Sequence, residues 1–417
     1  MLTVAPSSSA DLFANHSYTD TNVLYCRLRR LGPVVRLQCH DAWAVPRLAD
    51  VRAVLNDRVN FVREAPLVMP TADAGTRAAR RKVNKALARH QGPRPTFTLG
   101  SDLAARADAI VSEHAPAGEF DAAELVRAFV TDTALRLLGV SADLRRDLSR
   151  TPGVFDCFGT DAERRRQALK AGAETLGLLQ RAITHDKITP QSWLDVAFNS
   201  AAAAGLDESE AIPLAFAHAA AGLDATIYGI TAAIDQFARN PLQWDLLRDN
   251  PGLAAGAFHE AVRVSSPIHH VTRVTSRPTS IDGTRLEEGE RLWLLIRSAG
   301  LDRAAWGPYA ERFNICRPDV AQHLALGTRI RSKAGRHIAT SQAEAFLKAL
   351  AVQCREIRPA GEPHPLRSTT LLGWSHMPLA VTACTPRPRP RPPLNGERPD
   401  REHSPLEESC APNPGIC

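Results

Sequence analysis

The string HEAVR sets a carboxylate, Glu260, three residues ahead of a guanidinium, Arg263. On a helix that spacing puts both on one face, where each satisfies the other's charge if water is excluded. The same string opens His259-Glu260 but closes on arginine, so it lacks the second histidine of a zinc-protease motif. The neighbouring His269-His270 does not have metal-ligand spacing. A second polar island is Asp224 and Thr226 in AGLDAT, within a long run of small and apolar residues. An acid beside a hydroxyl there is either a proton relay or simply a polar pair on a helix. A third is LALGTRIRSKAGRHIA, residues 324–339, where two glycines bracket the basic cluster Arg329, Arg331 and Lys333. Cysteines stand at 26, 39, 157, 316, 354, 384, 410 and 417 with no C-x-x-C pair, which suggests reduced thiols and neither a zinc site nor a disulfide framework.

These residues need helices to carry them. The pattern from Ser209 to Arg239 is 31 residues of helix formers and small side chains, which predicts a long central helix buried on most sides. A helix over Pro251 to Val264, capped by Asn250, carries Glu260 and Arg263. AARRKVNKALAR, from Ala78, reads as a basic amphipathic helix, and another helix is expected from about Ala334 to Val352. Strands are fewer: VVRLQCHDAWAV reads as a hairpin, as does the stretch from Thr279 with its turn around Glu288-Gly289.

Forty-four per cent hydrophobic and 23% charged residues over 417 positions make an ordinary globular chain of one to three domains. Thirty prolines and only 6% aromatics argue against a membrane barrel or coiled coil. The longest uncharged runs fall short of the ~20 apolar residues that span a bilayer, so no membrane span is expected. The opening MLTVAPSSSADLF has no basic segment ahead of an apolar one, and a cytoplasmic location follows as the expectation. The net charge of +6 comes without the aromatic interleaving of a single-strand groove, so nucleic acid is not expected; a basic face suits an acidic protein partner instead. Residues 385–417 are rich in proline and charge and read as a disordered tail behind a single domain over 1–384.

From about Asp11 to Val381 these strings, in this order, resemble the cytochrome P450 family of the bacterial soluble type. The resemblance implies a mainly α fold with small β-sheets and a long central helix over a haem b site. It implies that Glu260 and Arg263 share their charges with Arg312 of AERFN, as a structural triad. AGLDAT is similar to the family's oxygen-activating A-G-x-D-T-T, with Asp224 as the acid, Ala225 at the hydroxyl position and Thr226 one residue beyond, turned about 100° away on a helix. Arg80 and Arg273 match the arginines that hold the haem propionates, and Thr76 stands where the family has a histidine donor. Taken singly, each arginine reads better as a solvated surface charge.

LALGTRIRSKAGRHIA is similar to F-G-x-G-x-H-x-C-x-G. Gly327 and Gly335 keep their places; Leu326 replaces the aromatic residue, Arg329 the second glycine, Arg331 the histidine and Lys333 the iron-ligating cysteine. A thiolate pushes electron density that favours O–O cleavage, and an amine carries no such charge. Lys333 could bind iron only as the free amine, with its pKa brought down from about 10.4 by burial and by the neighbouring arginines. His337 reads as a helix-surface or packing histidine and Cys316 as a core or half-buried thiol, and no metal ligand is assigned. The pocket implied above the haem is lined near Leu67–Met69, Phe216–Leu223 and Ile268–Val271.

The expected function is therefore that of a family member without haem-thiolate monooxygenation, acting by binding a ligand or a partner, as some cysteine-lacking members activate glycosyltransferases. The alternative is a haem-dependent monooxygenase of a small hydrophobic or aromatic substrate, with a ferredoxin-type electron donor on the basic face.

Overall fold

The computed structural model describes residues 6–9, 11–12, 18–63, 73–90, 99–149, 188–327, 330–366 and 371–384, with a few isolated positions between 170 and 183. Leu67–Met69, Arg329 and the segment 385–417 lie outside the described residues.

Among them the helices are α1 (Tyr18–Leu31), α2 (Leu48–Asn56), α3 (Ala74–His90), α4 (Leu99–His114), α5 (Ala122–Leu138), α6 (Ala142–Ser149), α7 (Trp193–Ala203), α8 (Ala211–Arg239), α9 (Pro241–Asp249), α10 (Ala254–Val264), α11 (Ile296–Gly300), α12 (Arg303–Trp306) and α13 (Ile330–Gln353). The strands that matter for the site are β2 (Val35–Leu37), β3 (Ala42–Val45), β6 (Val271–Thr275) and β9 (Arg291–Leu294). They lie side by side in a six-stranded sheet, in the order β2-β3-β9-β6. The architecture is mainly helical with small sheets, as expected.

The central helix α8 runs 29 residues, from Ala211 to Arg239. Its length is supported by burial rather than by propensity: α5, α7, α10 and α13 all pack on it, and Ile227, Ile230, Ile234 and Phe237 are fully buried. Gly229 permits the approach of α10, since a Cβ there would lie 2.8 Å from Val262 Cγ1 and 2.9 Å from Phe258 Cε2. Gly229→Ala is expected to cost about 1–3 kcal/mol by overpacking, read as a lower urea midpoint. An unchanged midpoint would mean that the two helices can part without loss.

Two boundaries differ from the sequence expectation. The tight turn of the hairpin after Thr279 is Asp282-Gly283, with φ of 44° and 80°, between Thr279–Ile281 and Thr284–Leu286. Asp-Gly is the residue pair that such a two-residue turn favours, whereas Gly289 serves the next bend. More consequentially, α13 begins at Ile330 rather than near Ala334. The stretch IRSK has neither glycine nor proline, and with Arg329 in place of a loop glycine nothing local opposes helix.

Candidate functional site

Glu260 and Arg263 lie on one face of α10, both fully buried. Arg263 Nε donates to Glu260 Oε2 at 2.7 Å and Nη2 to Oε1 at 2.8 Å, a two-point contact. The second guanidinium on Glu260 belongs to Arg317, whose Nε lies 2.9 Å from Oε1 and 3.2 Å from Oε2. This corrects the expectation for Arg312. That residue contributes its backbone carbonyl, which accepts from Arg263 Nη2 at 3.4 Å and Arg317 Nη2 at 3.1 Å. Its own side chain is turned out over the Tyr309 ring, 4.5 Å from the centroid. The meander bends after Phe313, which is buried against Phe237, so the arginine four residues later is the one carried back to α10. Both arginines were visible in ERFNICRP, and nothing in their spacing chose between them.

In the central helix Asp224 is buried, at 6% exposure, and Ala225 beside it is half-buried. Thr226 is buried too, and its Oγ1 donates to the Gly222 carbonyl at 2.8 Å. The hydroxyl proton is thus spent on the helix's own backbone, one turn back.

Arg80 on α3 is directed at Glu210, immediately before α8: Nε meets Oε2 and Nη2 meets Oε1, each at 2.8 Å. Thr76, one turn earlier, donates its Oγ1 to Asp73 Oδ2 at 2.5 Å, and its N–H to Asp73 Oδ1 at 2.9 Å. Arg273 is buried on β6, with Nη1 donating to the Thr272 carbonyl at 2.6 Å. Arg80 and Arg273 are therefore both held by protein groups.

Of the loop that carries the basic cluster, the backbone of Arg331 and Lys333 lies in the first turn of α13. The segment leading into it is pinned by Arg336, which donates to the carbonyls of Ala321 at 2.6 Å, His323 at 3.4 Å and Gly327 at 2.6 Å. Packed with it is a histidine pair, His323 buried and His259 half-buried, that the sequence did not signal. His323 Nδ1 accepts from the Ala325 N–H at 3.1 Å, which leaves its Nε2–H to donate to His259 Nδ1 at 3.0 Å. His259 Nε2 then meets Thr340 Oγ1 at 3.3 Å. Both rings are neutral in this arrangement. Burial pushes His259 down to about 4, aided by Arg336, and holds His323 well below the ordinary histidine range.

His269 and His270 likewise go to packing: His269 Nε2 meets the Tyr25 hydroxyl at 2.9 Å, and His270 stacks on Trp293 at 4.8 Å. His337 is exposed and Cys316 half-buried. Among the described residues no cluster of three or more His, Cys, Asp or Glu side chains is placed to hold a metal ion. Of the implied pocket, Phe216 and Leu223 are buried on α8, and Ile268 bridges to Leu371.

A family model described as Cytochrome P450 matches residues 229–366. Cytochrome p450 CYP199A2 of Rhodopseudomonas palustris is 30% identical over 399 residues, covering 90% of this chain and 95% of that one. A steroid C26-monooxygenase of Rhodococcus jostii is 28% identical over 303 residues, 70% of this chain and 61% of that protein. The crystal structure of the Tepidiphilus thermophilus P450 heme domain superposes with a TM-score of 0.76 at 18% identity, covering 89% of this chain and 96% of that one. The chain belongs to the cytochrome P450 family. No helix among the described residues is long and apolar enough to cross a membrane.

Relatives in this family bind haem, so the residues here can be tested against it. At the position that resembles the family's ligating cysteine the chain carries Lys333, within the first turn of α13. Arg80 is engaged by Glu210, and Thr76 by Asp73. This donor set does not fit a thiolate-ligated haem, and no chemical step is derived through one.

Proposed function

We propose that this chain keeps the cytochrome P450 fold but not haem-thiolate monooxygenation, and that it acts by binding, either holding a small ligand or supporting a partner enzyme. The observation that carries this reading is Lys333 at the position of the ligating cysteine, on a helix that starts at Ile330. An amine cannot supply the electron push of a thiolate. Ala225 at the oxygen-activating position and the back-bonded Thr226 hydroxyl support it, since neither presents a proton to a bound ligand. Asp224 and Thr226 are on this reading remnants of the relay, and Glu260, Arg263 and Arg317 hold the fold. A ligand would lie against the Phe216–Leu223 face of α8 and near Ile268–Val271, in a chain expected to work in the cytoplasm.

A second reading is favoured by one observation. Helix α3 carries no acidic residue, and Arg77, Arg81, Lys85 and Arg89 are exposed at four-residue intervals. Like charges so spaced repel, which suits an acidic partner such as a ferredoxin-type donor to a haem-dependent monooxygenase.

The test is the visible spectrum of the chain expressed with ample haem. Reduced, carbon-monoxide-treated protein is expected to show no thiolate-type Soret band and no turnover with ferredoxin and its reductase. A thiolate band with turnover would overturn the binding role in favour of the monooxygenase.

A further inference from the structure

We infer that Glu210 supplies from within the chain the carboxylate that Arg80 of α3 would otherwise take from a bound dicarboxylate such as a porphyrin, so that this part of the fold closes without one. The inference rests on the binding role proposed above and gives it a structural basis.

Three observations lead there. Arg80 has only 15% of its side chain exposed, and α3 offers it no acidic neighbour of its own. With no acid on its own helix, this half-buried guanidinium takes its carboxylate from elsewhere in the chain. Glu210 supplies it from 130 positions away, through both oxygens, with its own side chain 27% exposed.

Glu210 also stands at the N-cap position of α8 yet makes no capping bond with its side chain. A carboxylate there is well placed to serve the orphan N–H groups of its own helix. It is instead turned across to α3, which couples the start of the central helix to Arg80. Finally, Thr76 lies one turn before Arg80 on α3, and both its N–H and its hydroxyl go to Asp73. That contact is the N-cap of α3 and fixes the start of the helix one turn before the Arg80–Glu210 pair.

The pairing is tested on the purified full-length chain by a thermal-unfolding cycle of Arg80→Ala, Glu210→Ala and the double variant, each with and without added hemin. Each single substitution is expected to lower the midpoint. The double variant should fall no further than the worse single, because the second substitution removes a charge the first had already stranded. Hemin should leave the wild-type midpoint unchanged and give no stoichiometric Soret band. If either alanine variant does not fold, Glu210→Gln keeps the shape and removes the charge, and its midpoint should become less sensitive to salt than the wild type's.

Additive losses in the cycle, or an equal salt response in Glu210→Gln, would overturn the clasp while leaving the binding role standing. Stoichiometric hemin uptake that raises the wild-type midpoint would also overturn it. The binding role itself fails on a different readout, the thiolate-type band with turnover.

Discussion

Glu260→Gln is expected to destabilise the protein by about 3–5 kcal/mol, the range found when one partner of a buried ion pair is removed. The reason lies in what remains. Arg263 is fully buried, and its other donors are already committed to the carbonyls of Gly300, Ala310 and Arg312. Glutamine offers one acceptor oxygen and no charge to the buried guanidinium. Glu260 also accepts the Asn314 N–H at 3.1 Å, so the same change loosens the meander where Arg317 is anchored. Against typical stabilities of about 5–15 kcal/mol, that is a substantial part of the folded margin.

Two companions to this variant separate the arginines. Arg317→Ala removes a half-buried partner and is expected to cost about 1–3 kcal/mol, because Glu260 keeps its two-point contact with Arg263. Arg312→Ala removes an exposed side chain, leaves the backbone carbonyl in place, and should cost less than about 1 kcal/mol. Urea unfolding at neutral pH checks all three. A larger loss for Arg312→Ala than for Arg317→Ala would restore Arg312 as the second guanidinium.

Acid is expected to unfold the chain well above the carboxylate range. Burial pushes His259 and His270 each down from 6.5 to about 4, with Arg336 and His40 respectively adding repulsion. In the unfolded chain both titrate near 6.5. Between pH 6.5 and about 4 the unfolded state therefore binds more protons than the folded one, so stability rises with pH across that window and is lost as pH falls through it. Each group contributes about 3 kcal/mol to the loss by pH 4. His269 and His323, held lower still, act in the same direction.

The measurement is the urea midpoint at pH 8, 6.5 and 5. His270→Phe keeps an aromatic ring against Trp293 and removes one titrating site, so its midpoint should fall less steeply over that range. A wild-type midpoint that stays level from pH 7 to 5 would sink the assignment of these rings as buried and neutral.

Several features of the site were legible without coordinates. The pairing of Glu260 with Arg263 follows from a three-residue helical offset, and the central helix from unbroken helix formers. The basic residues Arg329, Arg331 and Lys333 between Gly327 and Gly335 are a matter of residue identity alone. The Asp282-Gly283 turn was equally readable from its residue types, and was passed over for the glycine six positions on.

Other features depended on the path of the chain. The start of α13 at Ile330 is a local event, yet it was hidden by the expectation that glycine-loop sequences stay open. The partners of Glu260, Arg80 and His259 lie 57, 130 and 64 positions away. By itself, then, the sequence determined which residues share a helix face and which residue types the loop carries. Only the tertiary structure decided that Arg317 rather than Arg312 completes the charge cluster, that Arg80 turns to Glu210, and that two histidines meet beside the loop. The physical reason is one of range: offsets along a helix are set by a fixed rise and rotation per residue. Which of two arginines reaches a buried carboxylate depends on how an irregular meander bends around its buried phenylalanine, and spacing does not encode that.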